Sequence, residues 1–211
     1  MSLKKILFKI IVWLRIYPFI SIVYISKKME GDWGHFLSAL KYSSVDRKGN
    51  PLPWFSYPAI NFLEGVGLST RSIFEWGSGN STLYWSRKAL KITSVEYNQR
   101  WYEKIHSQLS KTNSSNFKII YAPGKKDYLK AIGDARRVYD IIVIDGLYRA
   151  ACAREALNHL KKNGMIILDN AERYREIKKL FRGRNLTEID FHGFGPINHY
   201  PWTTAFFLKK H

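Results

Sequence analysis

Ile73-Phe74-Glu75-Trp76-Gly77-Ser78-Gly79-Asn80-Ser81-Thr82 decides how the rest of the chain is read. An apolar run carrying one acid stops at two glycines one residue apart, and a polar stretch able to open a helix follows. Strand, tight turn and helix meet here. Glycine permits a sharp backbone turn and leaves bare main chain for a ligand to approach. In an open α/β sheet, ligands gather at the carboxyl ends of the strands, which is where this loop falls.

Outward from the loop, β-rich runs recur at 72–76, 92–96, 117–121, 141–145 and 165–169. Helix-like stretches lie near 81–89, 99–110, 126–135, 150–160 and 171–182. Such alternation predicts βαβ units and a parallel sheet with helices on both faces. Ile141-Ile142-Val143-Ile144 is unbroken in apolar character, as a strand buried on both faces requires. The rhythm then changes. Runs at 186–191 and 203–208 have no helix between them, only His192-Gly193-Phe194-Gly195-Pro196-Ile197-Asn198-His199-Tyr200-Pro201-Trp202. A connection so rich in Gly, Pro and aromatics predicts a long hairpin loop and an antiparallel last strand. The expectation is an α/β fold of seven strands, five parallel βα units closed by an antiparallel C-terminal hairpin. With 211 residues there is room for one such domain.

The glycine loop departs from a dinucleotide fingerprint. Thr82 stands where a third glycine belongs, and Glu75 adds an acid. Glu96 ends the second strand, where a carboxylate can accept both hydroxyls of a ribose. Both departures suit S-adenosylmethionine (SAM), which has no pyrophosphate but carries an ammonium and a sulfonium. Residues from about 55 to 208 resemble a class I SAM-dependent methyltransferase: Glu75-Trp76-Gly77-Ser78-Gly79 is similar to its first motif, and Ser94-Val95-Glu96 to its second strand. The resemblance implies a Rossmann-like sheet and SAM as cofactor, with Glu75, Gly77, Ser78, Gly79, Glu96 and Asp145 as its contacts. At Ala122-Pro123 many relatives carry an Asp beside the adenine, and this chain does not.

Asp145 ends the fourth strand and Asp169-Asn170 the fifth, so three oxygen-bearing side chains converge at neighbouring strand ends. Metal-dependent small-molecule O-methyltransferases resemble this pattern, and the resemblance implies Mg²⁺ held by Asp145, Asp169 and Asn170. The plainer alternative has Asp145 touching the cofactor and Asp169 or Asn170 capping the next helix. Those enzymes often place a lysine after the first Asp, and here Arg149 is the nearest cation. Arginine is too basic to deprotonate a hydroxyl but can hold an anionic substrate. Without a metal, Asp145 is the candidate general base, with His192 and His199 of the hairpin connection as rivals. Trp54 and Tyr57 either close over the cofactor or pack in the core.

The acceptor is narrowed by what is missing. Base N-methyltransferases resemble one another in an Asn/Asp-Pro-Pro-aromatic motif after the fourth strand, where this chain has Asp145-Gly146-Leu147-Tyr148. Cytosine C5 transfer needs a cysteine, usually after proline, and Cys152 follows Ala151. Oxygen of a small-molecule or saccharide acceptor, anionic or lipid-linked, is the expectation. An RNA-binding or RNA-modifying protein and a non-catalytic SAM-fold subunit are the alternatives.

Lys and Arg number 34 against 17 acids, a formal net charge of +17, so this basic protein attracts anions. The cations are spread along the chain rather than grouped, which disfavours nucleic acid. Residues 1–30 form a basic, apolar extension: lysines flank an apolar stretch from Ile10 to Ser26 that contains Arg15 and Pro18. A bilayer span takes about 20 apolar residues, and an arginine near its centre costs about 3 kcal/mol. Lying in a membrane interface, packing on the chain's own domain or on a second copy, and spanning remain open. Residues 31–54, with the turn-rich Lys48–Pro53 stretch, are a linker or lid ahead of a methyltransferase domain at 55–211. The lone Cys152 has no internal disulfide partner, and a reducing compartment follows. The expected location is the cytoplasm, peripheral at the inner face of the cytoplasmic membrane.

Overall fold

The computed structural model describes residues 2–13, 15–112, 114–133 and 136–209. Its centre is a seven-stranded sheet of β1 (Ser72–Trp76), β2 (Lys91–Glu96), β3 (Phe117–Tyr121), β4 (Tyr139–Ile144), β5 (Leu160–Leu168), β6 (Leu186–Gly193) and β7 (Trp202–Lys209). The order is β3-β2-β1-β4-β5-β7-β6. β1 through β5 run parallel, and β7 lies antiparallel to both β5 and β6. The expected hairpin is present, and it folds back so that β7, not β6, adjoins the parallel strands.

The two-residue period of the strands divides the core into two layers. Ile73, Ile92, Ile141, Val143, Ile167 and Phe206 face one side. There they meet Leu63 of α4 (Tyr57–Glu64) and Trp85 of α5 (Asn80–Lys88). Phe74, Trp76, Val95, Ile142, Ile144, Leu168 and Phe207 face the other side. They are covered by Tyr128 of α7 (Lys125–Lys130), Ala153 and Ala156 of α8 (Arg149–His159) and Phe181 of α9 (Arg175–Arg182). Ile142 and Ile144 are fully buried, which explains the unbroken apolar run: β4 is central and has no wet face. Burying each such side chain contributes about 1.5–3 kcal/mol. The strand between β1 and β3 is flanked by α6 (Gln99–Ser110), whose Ile105 and Leu109 pack on Ile119.

Several local expectations change. The helix expected over 171–182 divides into a 3-10 turn at Ala171–Arg173 and α9, with Tyr174 between them at φ −124° and Asn170 before them at φ 52°. The helix expected over 126–135 shortens to α7; residues 134 and 135 of that expectation lie outside the described residues, as do 14, 210 and 211 of the other segments. β6 runs on to Gly193, so His192 pairs with Thr203 in the sheet instead of sitting in the loop. The N-terminal extension holds α1 (Leu3–Trp13) and α2 (Tyr17–Trp33), and Pro18 falls in the first turn of α2, where no amide is lost. α2 crosses the expected boundary at residue 30, and the expected linker contains α3 (His35–Lys41). Trp33 stacks on Tyr57 at 4.5 Å between ring centres, docking the end of α2 on α4.

Candidate active site

Two glycine loops meet at the carboxyl ends of β1 and β4. Gly77 sits at φ +96°, and a Cβ there would lie 3.1 Å from the backbone of Gly146. A Cβ on Gly146 would come within 2.0 Å of the Tyr128 hydroxyl and 2.8 Å of the Gly77 nitrogen. Bare main chain at both positions lets the loops close on each other and leaves a cleft beside them. That cleft has a volume of about 710 Å³, within the usual range for a cofactor site. Gly77, Ser78, Gly79, Glu96, Asp145 and Trp101 are among its lining residues.

Glu96 is placed as expected and is almost fully buried. One carboxylate oxygen accepts from the backbone N–H groups of Tyr97 (3.0 Å) and Asn98 (2.9 Å). The other accepts from Ser78 N–H (3.1 Å) and the Ser78 hydroxyl (3.0 Å). Three of these partners are fixed amides, and the fourth is a hydroxyl that can rotate away. The Glu96 carboxylate thus faces the cleft with one partner that a ligand hydroxyl could replace.

Glu75 differs from the expectation. Its carboxylate does not line the cleft: it accepts from the Thr82 hydroxyl (2.6 Å) and Trp85 Nε1 (3.2 Å) and is fully buried. Thr82 in turn accepts from Gly79 N–H at 3.0 Å, so Glu75 holds the glycine loop through Thr82. The cause is strand geometry. Glu75 alternates with Phe74 and Trp76, which face the opposite layer, and its side chain is thereby sent beneath α5. Burial pushes its carboxyl up to about 7, against the pull of its hydroxyl and indole donors.

Asp145 lines both this cleft and a second one of about 340 Å³, whose walls include Trp54, Asp169, Asn170, Arg173, Tyr200 and Trp202. The residues do not fit a Mg²⁺ site. Arg149 donates from Nη2 to the Asp145 carboxylate at 2.8 Å and to the Asp145 carbonyl at 3.1 Å, from Nε to the Gly146 carbonyl at 3.1 Å, and from Nη1 to the Asp169 carbonyl. Asp169 points one carboxylate oxygen at Trp202 Nε1 (2.9 Å) and the Thr204 hydroxyl (2.6 Å). Among the described residues, no three His, Cys, Asp or Glu side chains come together as a metal site. A guanidinium stands where the cation was expected. The same bonds make Arg149 a clamp on the ends of β4 and β5 with four of its five N–H donors engaged, and it also lines the second cleft.

The two carboxylates differ in surroundings. Asp169 is raised by burial first and by the neighbouring Asp145 charge second. Asp145 is raised by desolvation and drawn back by Arg149. About a quarter of the Asp145 side chain stays exposed, and it is ion-paired at 2.8 Å. Burial thus raises both carboxyls, and the Arg149 ion pair draws Asp145 back toward its charged form. His192 and His199 do not join them. His192 Nδ1 lies 3.0 Å from the Thr203 hydroxyl, and His199 packs edge-on against Tyr200; neither lines either cleft.

One wall comes from the 31–54 segment, where the sequence pointed to a linker or lid without singling out the residues that line the cleft. Tyr42, Ser43 and Ser44 follow α3 and line the large cleft, tied down by the Asn80 side-chain amide, which donates to Ser43 Oγ (2.8 Å) and the Ser44 carbonyl (2.6 Å). Trp101 was also missed. Asn98 caps α6 by accepting from Trp101 N–H at 3.0 Å, and the indole N–H donates to the Ser78 carbonyl. Lys104 lies over that indole at 4.3 Å. A tryptophan in the first turn after the acid that ends β2 was the available signal.

A sheet ordered 3-2-1-4-5-7-6, with a glycine loop after β1 and a buried acid ending β2, is the class I SAM-dependent methyltransferase fold. Solved structures agree. The O-methyltransferase TomG of Streptomyces achromogenes, in complex with SAM, superposes with a TM-score of 0.58 at 15% identity, covering 67% of this chain and 74% of that one. A Pyrococcus furiosus methyltransferase gives 0.56 at 17% identity, covering 90% and 96%. An rRNA methylase of Streptococcus thermophilus gives 0.55 at 16% identity, covering 72% and 97%. No protein-family model and no curated protein sequence matches this chain.

Proposed function

We propose that this protein is a SAM-dependent methyltransferase that acts on a hydroxyl of a small-molecule or saccharide acceptor. One observation carries it: Asp145 stands between a cleft built around Glu96 and the bare Gly77–Gly79 backbone and a second cleft that shares only Asp145 and Trp54 with it. The first fits SAM. Glu96 would accept the ribose hydroxyls, the loop backbone would face the amino-acid part, and Trp101 would wall the opening. Bound SAM supplies a methyl group on a sulfonium, open to in-line displacement.

The second cleft suits the acceptor. Trp54, Tyr200 and Trp202 offer flat apolar faces, Asn170 and Asn198 offer amides, and Arg173 offers one cation. Aromatic faces with amides between them suit a hydroxylated ring, and the cation suits an acidic substituent. Asp145, paired with Arg149, would take the proton that the acceptor hydroxyl releases as its oxygen forms the new bond. Orientation and exclusion of water supply most of the remainder. The charge of +17 favours a second reading, an RNA acceptor, because such a surface gathers polyanions.

Titration calorimetry with SAM and with S-adenosylhomocysteine (SAH) tests the first step, using wild type and Glu96→Ala. Losing hydrogen bonds to a charged group costs about 1.5–3 kcal/mol, so binding should weaken by about 10- to 150-fold. Equal affinity in both proteins, or no binding at all, overturns the proposal. Labelled SAM offered with glycans, small hydroxylated acids and RNA then identifies the acceptor class. Tight SAM binding without transfer to any of them would indicate a non-catalytic subunit.

A further inference from the structure

The first two helices expose what a folded domain normally hides. Leu3, Trp13 and Phe19 are 82%, 81% and 69% exposed, and α1 and α2 contain no buried residue at all. Of the large hydrophobic residues exposed among the described residues, about half lie between positions 3 and 25. A contiguous apolar surface of this kind marks an interaction site. Its charge says with what. The first 29 residues contain Lys4, Lys5, Lys9, Arg15, Lys27 and Lys28 and not one acid.

The geometry narrows the partner further. No single helix among the described residues is long and apolar enough to cross a membrane; α1 and α2 reach that length only as a pair, and they are bent by 104° where they meet. α1 has 11 residues, and the apolar part of α2 ends at Lys27, so each apolar segment extends only about 15 Å, half of a hydrocarbon core. A groove of about 470 Å³ between α2 and α3 continues the apolar surface. Ile22, Val23 and Phe36 line it, with Lys27 and Arg47 among its walls. Glu30 also lines it, so an apolar floor is edged by two cations against one acid, a balance that still favours an anionic amphiphile. Trp13, Tyr17 and Tyr24, aromatic rings with a polar atom at one end, are the types that favour the boundary between lipid and water.

We propose that α1 and α2 lie flat on the surface of an anionic lipid bilayer, apolar side chains in the acyl boundary and lysines among the headgroups. This attachment reaches the cleft. Trp33 fixes the end of α2 to Tyr57, and α3 leads directly into the Tyr42–Ser44 wall. The bilayer therefore holds the cleft at a set distance from its surface. The inference does not depend on the methyltransferase reading.

Flotation of the full chain with vesicles tests it, comparing phosphatidylcholine alone with phosphatidylcholine mixed with phosphatidylglycerol. The wild-type chain should float with the anionic vesicles only and should be released by salt. Phe8→Asp with Phe19→Asp, and separately Lys4→Glu with Lys9→Glu, should each weaken binding by about tenfold or more while SAM affinity stays unchanged. Three outcomes overturn the proposal: no binding to anionic vesicles, equal binding to neutral ones, or variants that bind like wild type. Sedimentation that shows the double aspartate variant losing a dimer, with vesicle binding intact, overturns it in favour of a second copy.

Discussion

Replacing Glu75 with glutamine should change how stability depends on pH, by an amount the structure sets. The carboxylate is fully buried, and burial carries its pKa from 4.5 to about 7. In the unfolded chain the group ionises near 4.5, while in the folded chain it holds its proton until about 7. The folded state binds the extra proton inside that window, so stability is fully present below 4.5, falls as pH rises, and levels off above about 7. The shift corresponds to a total loss of about 3 kcal/mol. Glutamine has a similar shape and does not titrate. Urea unfolding followed by tryptophan fluorescence, at steps from about pH 5 to about pH 8, should show wild type losing about 2–3 kcal/mol relative to Glu75→Gln. Groups common to both proteins cancel in the difference. Parallel curves would refute the reasoning, since they would mean that Glu75 ionises in the folded chain as freely as in the unfolded one.

Asp145→Asn should lower kcat/KM by about 10²- to 10⁴-fold with little change in SAM affinity, and the acidic limb of the pH–rate profile should vanish with it. Unchanged turnover once an acceptor is known would remove Asp145 from its role. Gly146→Ala puts a methyl group where the Tyr128 hydroxyl and the Gly77 backbone already stand, so we expect a loss of about 1–3 kcal/mol in denaturant unfolding, together with weaker SAM binding.

How far the sequence predicted this site can be followed residue by residue. The glycine loop, Glu96 and the five parallel βα units follow from local signals: turn residues, an acid at a strand end, and helices between strands. Glu75 was placed at the right position and aimed the wrong way, although the alternation with Phe74 and Trp76 already decides its face. Asp145 and Asp169 do lie at adjacent strand ends, but charge at a strand end does not reveal its partner. Here α8 begins with Arg149, four residues after Asp145, and its fork takes the space between them. The Tyr42–Ser44 wall rests on contacts with Asn80 across some 37 positions, and no local pattern encodes such a pairing. His192 was misplaced by two residues of strand. That small error moved it from a flexible loop into a ladder.

The place of β7 governs how the second cleft comes into being. Strands β1 to β5 can assemble as their segments are completed, yet the outer side of β5 keeps an unpaired row of amides and carbonyls until β7 slots in ahead of β6. Asp169 also waits, since its indole and hydroxyl partners, Trp202 and Thr204, both belong to β7. The second cleft is therefore among the last parts of the molecule to take shape, and any intermediate that lacks β7 carries a sticky open edge beside a carboxylate without donors. Folding of this chain should be most vulnerable to aggregation at that step.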